Sequence, residues 1–219
     1  MRKIASICFL CLISILLVAC QAERSPTAKN PPGKVLFEDD FSDTASGWEN
    51  ISGEPGFVGY EDGAYRMRLK VPFYTSWVTP DKVFNAVSIE VDATQTGGPD
   101  KSVYGVVCRA QDDKNFYVFV VSAAGYYGIG KVVDGQGPSM LGTSAPDQLN
   151  ASDAIKKMDE LNHIRADCNG NVLTLFINGK QVSSVQDDAI TSGDVGLLVK
   201  TFEQPGIDVT FDNFAVKIP

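Results

Sequence analysis

An all-β fold, a two-sheet antiparallel jelly-roll sandwich with at most one short helix, is what this sequence predicts. Apolar and polar residues alternate with period two in stretch after stretch. Gly- and Asp-rich turns separate those stretches, and no long helical pattern runs through the chain.

The chain opens outside that pattern. Arg2 and Lys3 precede an apolar run from Ile4 to Val18, shorter than the ~20 residues a membrane-spanning helix needs. A removable signal is the reading that fits. The run ends in Leu17-Val18-Ala19-Cys20, which resembles the lipobox of bacterial lipoproteins. That resemblance implies cleavage of residues 1–19 and lipid on Cys20. It places the protein at the cell envelope, lipid-anchored, facing the periplasm or the cell exterior. Residues 20–33 carry three prolines and no hydrophobic periodicity, the composition of a flexible tether. A single domain is expected over 34–219, long enough to bury a core of its own.

Within that domain the strands declare themselves in order. Tyr65, Met67, Leu69 and Val71 point one way while Arg66, Arg68 and Lys70 point the other. Val87, Ile89, Val91 and Ala93 oppose Ser88, Glu90, Asp92 and Thr94. Ile164, Ala166 and Cys168 oppose His163, Arg165 and Asp167. Leu173, Leu175 and Ile177 then alternate with Thr174 and Phe176 up to Asn178-Gly179-Lys180, a hairpin signal. The richer runs Tyr117–Val121 and Val195–Val199 predict central strands. A short helix is expected only over Ala151–Leu161, with Ser152 as its cap. In the last strand Ile207, Val209 and Phe211 keep one phase, which then jumps to Phe214, Val216 and Ile218. A one-residue jump of phase is the mark of a β-bulge, here at Asp212-Asn213.

The chain holds 19 basic and 27 acidic residues, a net charge of −8. Removing residues 1–19 takes away two basic and no acidic residues, so the remainder carries (19 − 2) − 27 = −10. Such a surface argues against nucleic acid as a partner, because phosphate is bound by Lys and Arg. Of five cysteines, Cys8 and Cys11 leave with the signal and Cys20 takes the lipid. Cys108 and Cys168 remain, both on the apolar side of their strands. In an oxidising compartment they are expected to form a disulfide. Two cysteines and the single His163 lack the spacing of a zinc site.

Several stretches resemble a known superfamily. LFEDDFSDTASGW (36–48), YGVVCRAQDDKNFYVF (104–119), NHIRADCNGNVLTLFINGKQV (162–182), GDVGLLV (193–199) and VTFDNFAVKI (209–218) together resemble concanavalin A-like lectin/glucanase jelly rolls. Within them the likeness is to extracellular bacterial lipoprotein members near the 3-keto-disaccharide hydrolase-type domains. The resemblance implies two curved antiparallel sheets, with ligands on the concave face or at its rim loops.

Three sets of residues are candidates for function. Ile89-Glu90-Val91-Asp92-Ala93-Thr94-Gln95 is similar to the catalytic strand of laminarinase- and lichenase-type glycosidases, where a nucleophile, a helper and an acid/base alternate on one face. Glu90 and Asp92 match the first two places, but Thr94 or Gln95 in the third cannot act as the acid that retaining hydrolysis requires. Asp112 and Asp113 are the substitutes on offer; the alternative is a solvated polar strand face. The second set is a structural calcium site, common at this seam in the superfamily. Asp39, Asp40 and Asp43 would meet Asp208 and Asp212 if the terminal strands pair, with Asp40 and Asp212 as leading ligands. The alternative is aspartates that form turns and guard edges. The third set is a sugar platform. Trp77, Tyr104, Tyr117, Tyr126 and Tyr127 would stack on pyranose faces with Arg109 and Lys131 as polar partners. Gly128 and Gly130 between Tyr127 and Lys131 allow close backbone approach.

The leading reading is therefore a surface-anchored lectin-like module that binds a glycan without catalysis of its own. A glycoside hydrolase or related sugar enzyme on the same fold is the alternative. A structural envelope lipoprotein that docks another protein is the third.

Overall fold

A computed structural model describes residues 31–219 as two stacked antiparallel sheets, with no helix among the described residues. The leader, the lipobox with Cys20 and most of the tether lie outside the described residues.

The chain enters through β1 (Val35–Asp39) and folds β2 (Ile51–Gly53), β3 (Gly56–Glu61) and β4 (Ala64–Leu69) into a meander. β5 (Thr75–Val78) and β6 (Val87–Gly97) follow. A second meander is made by β7 (Val103–Asp112), β8 (Asn115–Ser122), β9 (Tyr126–Val133) and β10 (Gln136–Leu141). β11 (Asn150–Ala151) leads to a third, β12 (Asn162–Asn169), β13 (Val172–Ile177) and β14 (Lys180–Gln186). The chain closes with β15 (Asp194–Lys200) and β16 (Ile207–Lys217). One sheet has nine strands, in the order β14-β13-β12-β6-β16-β4-β3-β2, with β1 also on β16. The other has seven, in the order β10-β9-β8-β7-β15-β5, with β11 on β9. Sequential strands pair locally while β6, β15 and β16 cross between meanders, which is jelly-roll topology.

The alternation read from sequence is the alternation of burial. Tyr65, Met67 and Leu69 of β4, Ile89 and Val91 of β6, and Ile164, Ala166 and Cys168 of β12 all face the core from the nine-stranded sheet. Tyr104 and Val106 of β7, Tyr117 and Phe119 of β8, and Leu197 and Val199 of β15 meet them from the other. Cys108 of β7 is bonded to Cys168 of β12, so the disulfide crosses from sheet to sheet through the core. The terminal strands pair as expected, Asp39 opposite Phe214. In β16 the register to β6 shifts between Asp212 and Ala215, and Asn213 adopts φ 53°. That is the bulge the phase jump predicts.

The stretch read as a helix, Ala151–Leu161, is not one. Asn150 and Ala151 pair with β9, and turns follow. Local side chains take the backbone groups a helix would use. Asn162 Oδ1 accepts from the Lys156 amide at 2.8 Å and Asn178 Nδ2 donates to the Ala154 carbonyl at 2.7 Å. Ser152 Oγ accepts from the Ala154 amide at 3.2 Å and closes a turn instead of opening a helix.

Candidate functional site

β8 is apolar on both faces, because Phe116, Val118 and Val120 alternate with Tyr117, Phe119 and Val121 and all are buried. The second set fills the core, so the first must be covered on the outer face of the seven-stranded sheet. There it joins Val103, Val132 and Leu198 in a separate apolar cluster, with Trp77 and Leu149 packed against it. An outer face of this kind is unusual for an antiparallel sheet, which commonly leaves that side polar. Cover comes from the segment between Met140 and Leu149. It lies close because Gly128 and Gly130 have no side chains: a Cβ on Gly128 would meet Leu149 Cδ2 at 2.6 Å, and one on Gly130 would meet Met140 Cε at 3.0 Å.

The cover is partial and leaves a trough of about 460 Å³, within the ~300–1,000 Å³ range of small-molecule sites. Trp77, on the edge strand β5, lines it and packs against Phe116 with ring centroids 5.3 Å apart. The polar groups are few. Asp113 comes from the β7–β8 turn, Asp147 from the covering segment and Lys200 from the end of β15. Burial pushes the Lys200 ammonium below the ordinary lysine value, and its Nζ lies 5.6 Å from the centre of the Phe202 ring. A second depression of about 640 Å³ adjoins the trough and shares Asp147, Leu149 and Phe202 with it. Tyr126, 42% exposed, lines the second depression.

Trp77 alone of the predicted sugar platform reaches the trough. Tyr104 and Tyr117 are fully buried, and both place their rings in the core. Tyr104 Oη accepts from Asn162 Nδ2 at 3.1 Å, and burial pushes its phenol up to about 12. Tyr117 Oη donates to Asp187 at 2.6 Å and accepts from the Ile190 amide at 3.1 Å. Tyr127 Oη donates to the Val182 carbonyl of β14 at 2.8 Å, and Lys131 Nζ pairs with Asp187 at 2.5 Å. These groups tie the two sheets together. Their phase explains it, since Tyr117, Tyr127 and Lys131 share the odd-numbered side with the core residues Phe119, Val121 and Ile129. Arg109 is the sharpest correction. Alternation places it outward, but the β7 register shifts beyond Cys108 and Arg109 adopts φ 55°. The side chain is then 2% exposed and donates to the carbonyls of Asn85, Gly170 and Ile190.

Residues 33–217 match the model of the 3-keto-alpha-glucoside-1,2-lyase-like domain. The chain belongs to that family. Among curated proteins, none matches it in sequence. Among solved structures it is similar to the carbohydrate-binding module CBM66 from Bacillus subtilis, at 16% identity over 78% of this chain and 95% of that one, with a TM-score of 0.59. A protein of unknown function with a galectin-like fold, also from Bacillus subtilis, matches with a TM-score of 0.62 at 12% identity, over 85% and 97% of the two chains. The β-glucanase of Bacillus licheniformis matches with a TM-score of 0.60 at 11% identity, over 85% and 99%. At these identities the likeness is one of fold, and it shows the jelly-roll sandwich that the sequence predicts.

Glu90 and Asp92, the pair that suggested a glucanase strand, project from the outer face of the nine-stranded sheet, while the trough lies on the seven-stranded one. Each is held by neighbours on that face. Lys217 Nζ donates to Glu90 at 2.5 Å. His163 Nδ1 meets Asp92 Oδ1 at 2.7 Å, and Asn213 Nδ2 donates to Asp92 Oδ2 at 3.0 Å. This is a partly solvated polar network with Thr94 as the next residue along the face, so no acid follows the pair. Of the substitutes, Asp113 lines the trough. Asp112 instead accepts from the Lys114 amide and from Asn115, which hold it below the usual carboxylate range.

The aspartates expected to hold calcium do not converge: β1 pairs with the Phe214–Lys217 end of β16, whereas Asp208 lies opposite Arg68 of β4 and Gly97 of β6. Asp39 turns inward and accepts from the Phe41 amide at 2.8 Å and Trp48 Nε1 at 2.9 Å. Asp40 accepts from the amide and hydroxyl of Ser42. Asp43 caps the Ala45 amide, and Asp212 caps the Asn213 amide at its bulge. Asp208 is claimed by Arg66 and Arg68. Burial pushes its carboxyl up, and those two guanidinium groups outweigh burial and hold it below the ordinary range. Among the described residues no group of three or more His, Cys, Asp or Glu side chains is placed to hold a metal ion. A calcium site needs six to eight oxygens, and this donor set does not fit one. The aspartates form turns and ion pairs.

Proposed function

We propose that the chain is a lipid-anchored envelope module that binds a glycan in the trough of its seven-stranded sheet, without turnover. One observation carries the reading. The outer face of that sheet is apolar and only partly covered, and the opening is lined by an indole with a few charged groups at its edge. That is the composition of a site that stacks on sugar rings and bonds their hydroxyls. The CBM66 likeness supports binding on this fold. Trp77→Ala is expected to weaken glycan binding about tenfold, roughly the 1.4 kcal/mol of one good aromatic stack. Calorimetry against the best ligand from a glycan array, with melting curves to confirm the fold, measures it. Full affinity in the folded variant would move the site elsewhere.

A second reading has its own support. The family's description names a lyase of 3-keto-α-glucosides, and the trough offers Asp113, Asp147 and Lys200 for acid–base work. An amine whose basicity is lowered by burial suits a general base. Turnover of a 3-keto-α-glucoside by the purified protein, abolished by Lys200→Met, would replace binding with catalysis.

The anchor is tested separately. Cys20→Ala is expected to move the protein from the membrane pellet to the soluble fraction, or to leave its signal uncleaved, on fractionation and immunoblotting. A mature variant still in the pellet would remove the lipid from this account.

A further inference from the structure

The two depressions on the seven-stranded sheet share Asp147, Leu149 and Phe202, so they are parts of one groove. Each falls within the ~300–1,000 Å³ range that takes a whole drug-sized ligand, the size of a disaccharide. Together they are more than a disaccharide fills. Aromatic side chains mark both parts and the join: Trp77 in the trough, Phe202 between, and Tyr126 in the second depression. Phe202 and Tyr126 are 38% and 42% exposed, large rings kept at the surface. Charge narrows the ligand further. Asp113, Asp147, Asp100 and Glu203 border the groove against only Lys101 and Lys200, and the chain as a whole carries −8. Uronate or sulfated chains would be repelled, whereas hydroxyl groups can donate to those carboxylates.

Resting on the glycan reading above, we infer that the ligand is a neutral oligosaccharide longer than a disaccharide, lying from the Trp77 trough past Phe202 into the depression at Tyr126. Tyr126 is then a length-determining residue. Its side chain is exposed at the start of β9, so removing it leaves the core intact.

The full-length protein is first screened on arrays of neutral and uronate oligosaccharides. Calorimetry then follows a length series of the best neutral binder from monosaccharide to hexasaccharide. Affinity is expected to rise about tenfold beyond the disaccharide. Tyr126→Ala should cancel about fivefold of that gain while leaving the disaccharide unaffected, and Trp77→Ala should weaken every length. Equal affinity for disaccharide and hexasaccharide, or a Tyr126→Ala variant with unchanged hexasaccharide affinity, overturns the extended groove and leaves the Trp77 site standing. Tighter binding of a uronate chain than of its neutral counterpart overturns the neutral class. No binding to any sugar of any length sinks the glycan reading itself.

Discussion

Arg109→Met is expected to lower the unfolding free energy by about 3–5 kcal/mol, the cost of breaking a buried charged group's hydrogen bonds from one side. The guanidinium donates to the carbonyls of Asn85 at 3.3 Å, Gly170 at 2.7 Å and Ile190 at 2.8 Å. Those carbonyls belong to three connecting segments, before β6, between β12 and β13, and before β15. One side chain thus joins turns from both sheets, and burial lowers its pKa because the charge is taken from water. Methionine keeps much of the volume and gives back that desolvation cost, yet it strands three acceptors. Arg109→Lys keeps the charge with a single nitrogen, so it should fall between. Urea unfolding followed by tryptophan fluorescence measures the series. A methionine variant within about 1 kcal/mol of the parent would mean that water or local movement satisfies those carbonyls.

Alternation along a strand carries information about near neighbours only. Period-two alternation placed the strands, the inward cysteines and the bulge at Asp212, because each depends on neighbours along the chain. Arg109 depends on a bulge in β7 that no phase jump announces: the polar residue itself occupies the irregular position. Tyr104, Tyr117 and Tyr127 have hydroxyl partners on the other sheet or in distant loops, so a tyrosine serving the core is indistinguishable in sequence from one facing a sugar. The trough shows the complementary failure. The run Tyr117–Val121 predicts a central strand, and in the structure that strand, β8, is buried on both faces. What covers the outer face is decided by the Met140 side chain, which leans from the neighbouring strand β10 over Gly130, and by Leu149 of the segment after it, which lies on Gly128, and a loop's landing place is not written in its own periodicity.

The two outer faces of the sandwich differ in what satisfies them. On the nine-stranded sheet, polar and charged residues pair across adjacent strands: Glu90 with Lys217, Asp92 with His163, Asp208 with Arg66 and Arg68. That face is satisfied by its own polar contacts, each part-exposed and of small individual value. The seven-stranded sheet has apolar side chains there instead, and its cover stops short. A surface that retains accessible aromatic and aliphatic groups is under pressure to bind something. The asymmetry favours the trough over Glu90 and Asp92 as the place for a ligand.

Removing the disulfide should cost about 4 kcal/mol, and in a way that distinguishes it from Arg109. Cys108 and Cys168 lie 60 residues apart in sequence, and closing a loop of that length restricts the unfolded chain by about 4 kcal/mol on the chain-entropy model. The paired Cys108→Ala and Cys168→Ala substitutions also remove buried sulfur from a filled core, which adds to the loss. Because the cross-link acts on the unfolded ensemble, its removal should expand that ensemble and steepen the denaturant dependence, whereas Arg109→Met should shift the midpoint at constant slope. Because each sulfur is fully buried, the alkylation is done on unfolded protein: mass spectrometry should find neither thiol free without reductant and both free with it. Two thiols alkylated without reductant would show that the bond does not form. A double-alanine variant with unchanged midpoint and slope would show that the bond, though formed, contributes nothing to stability.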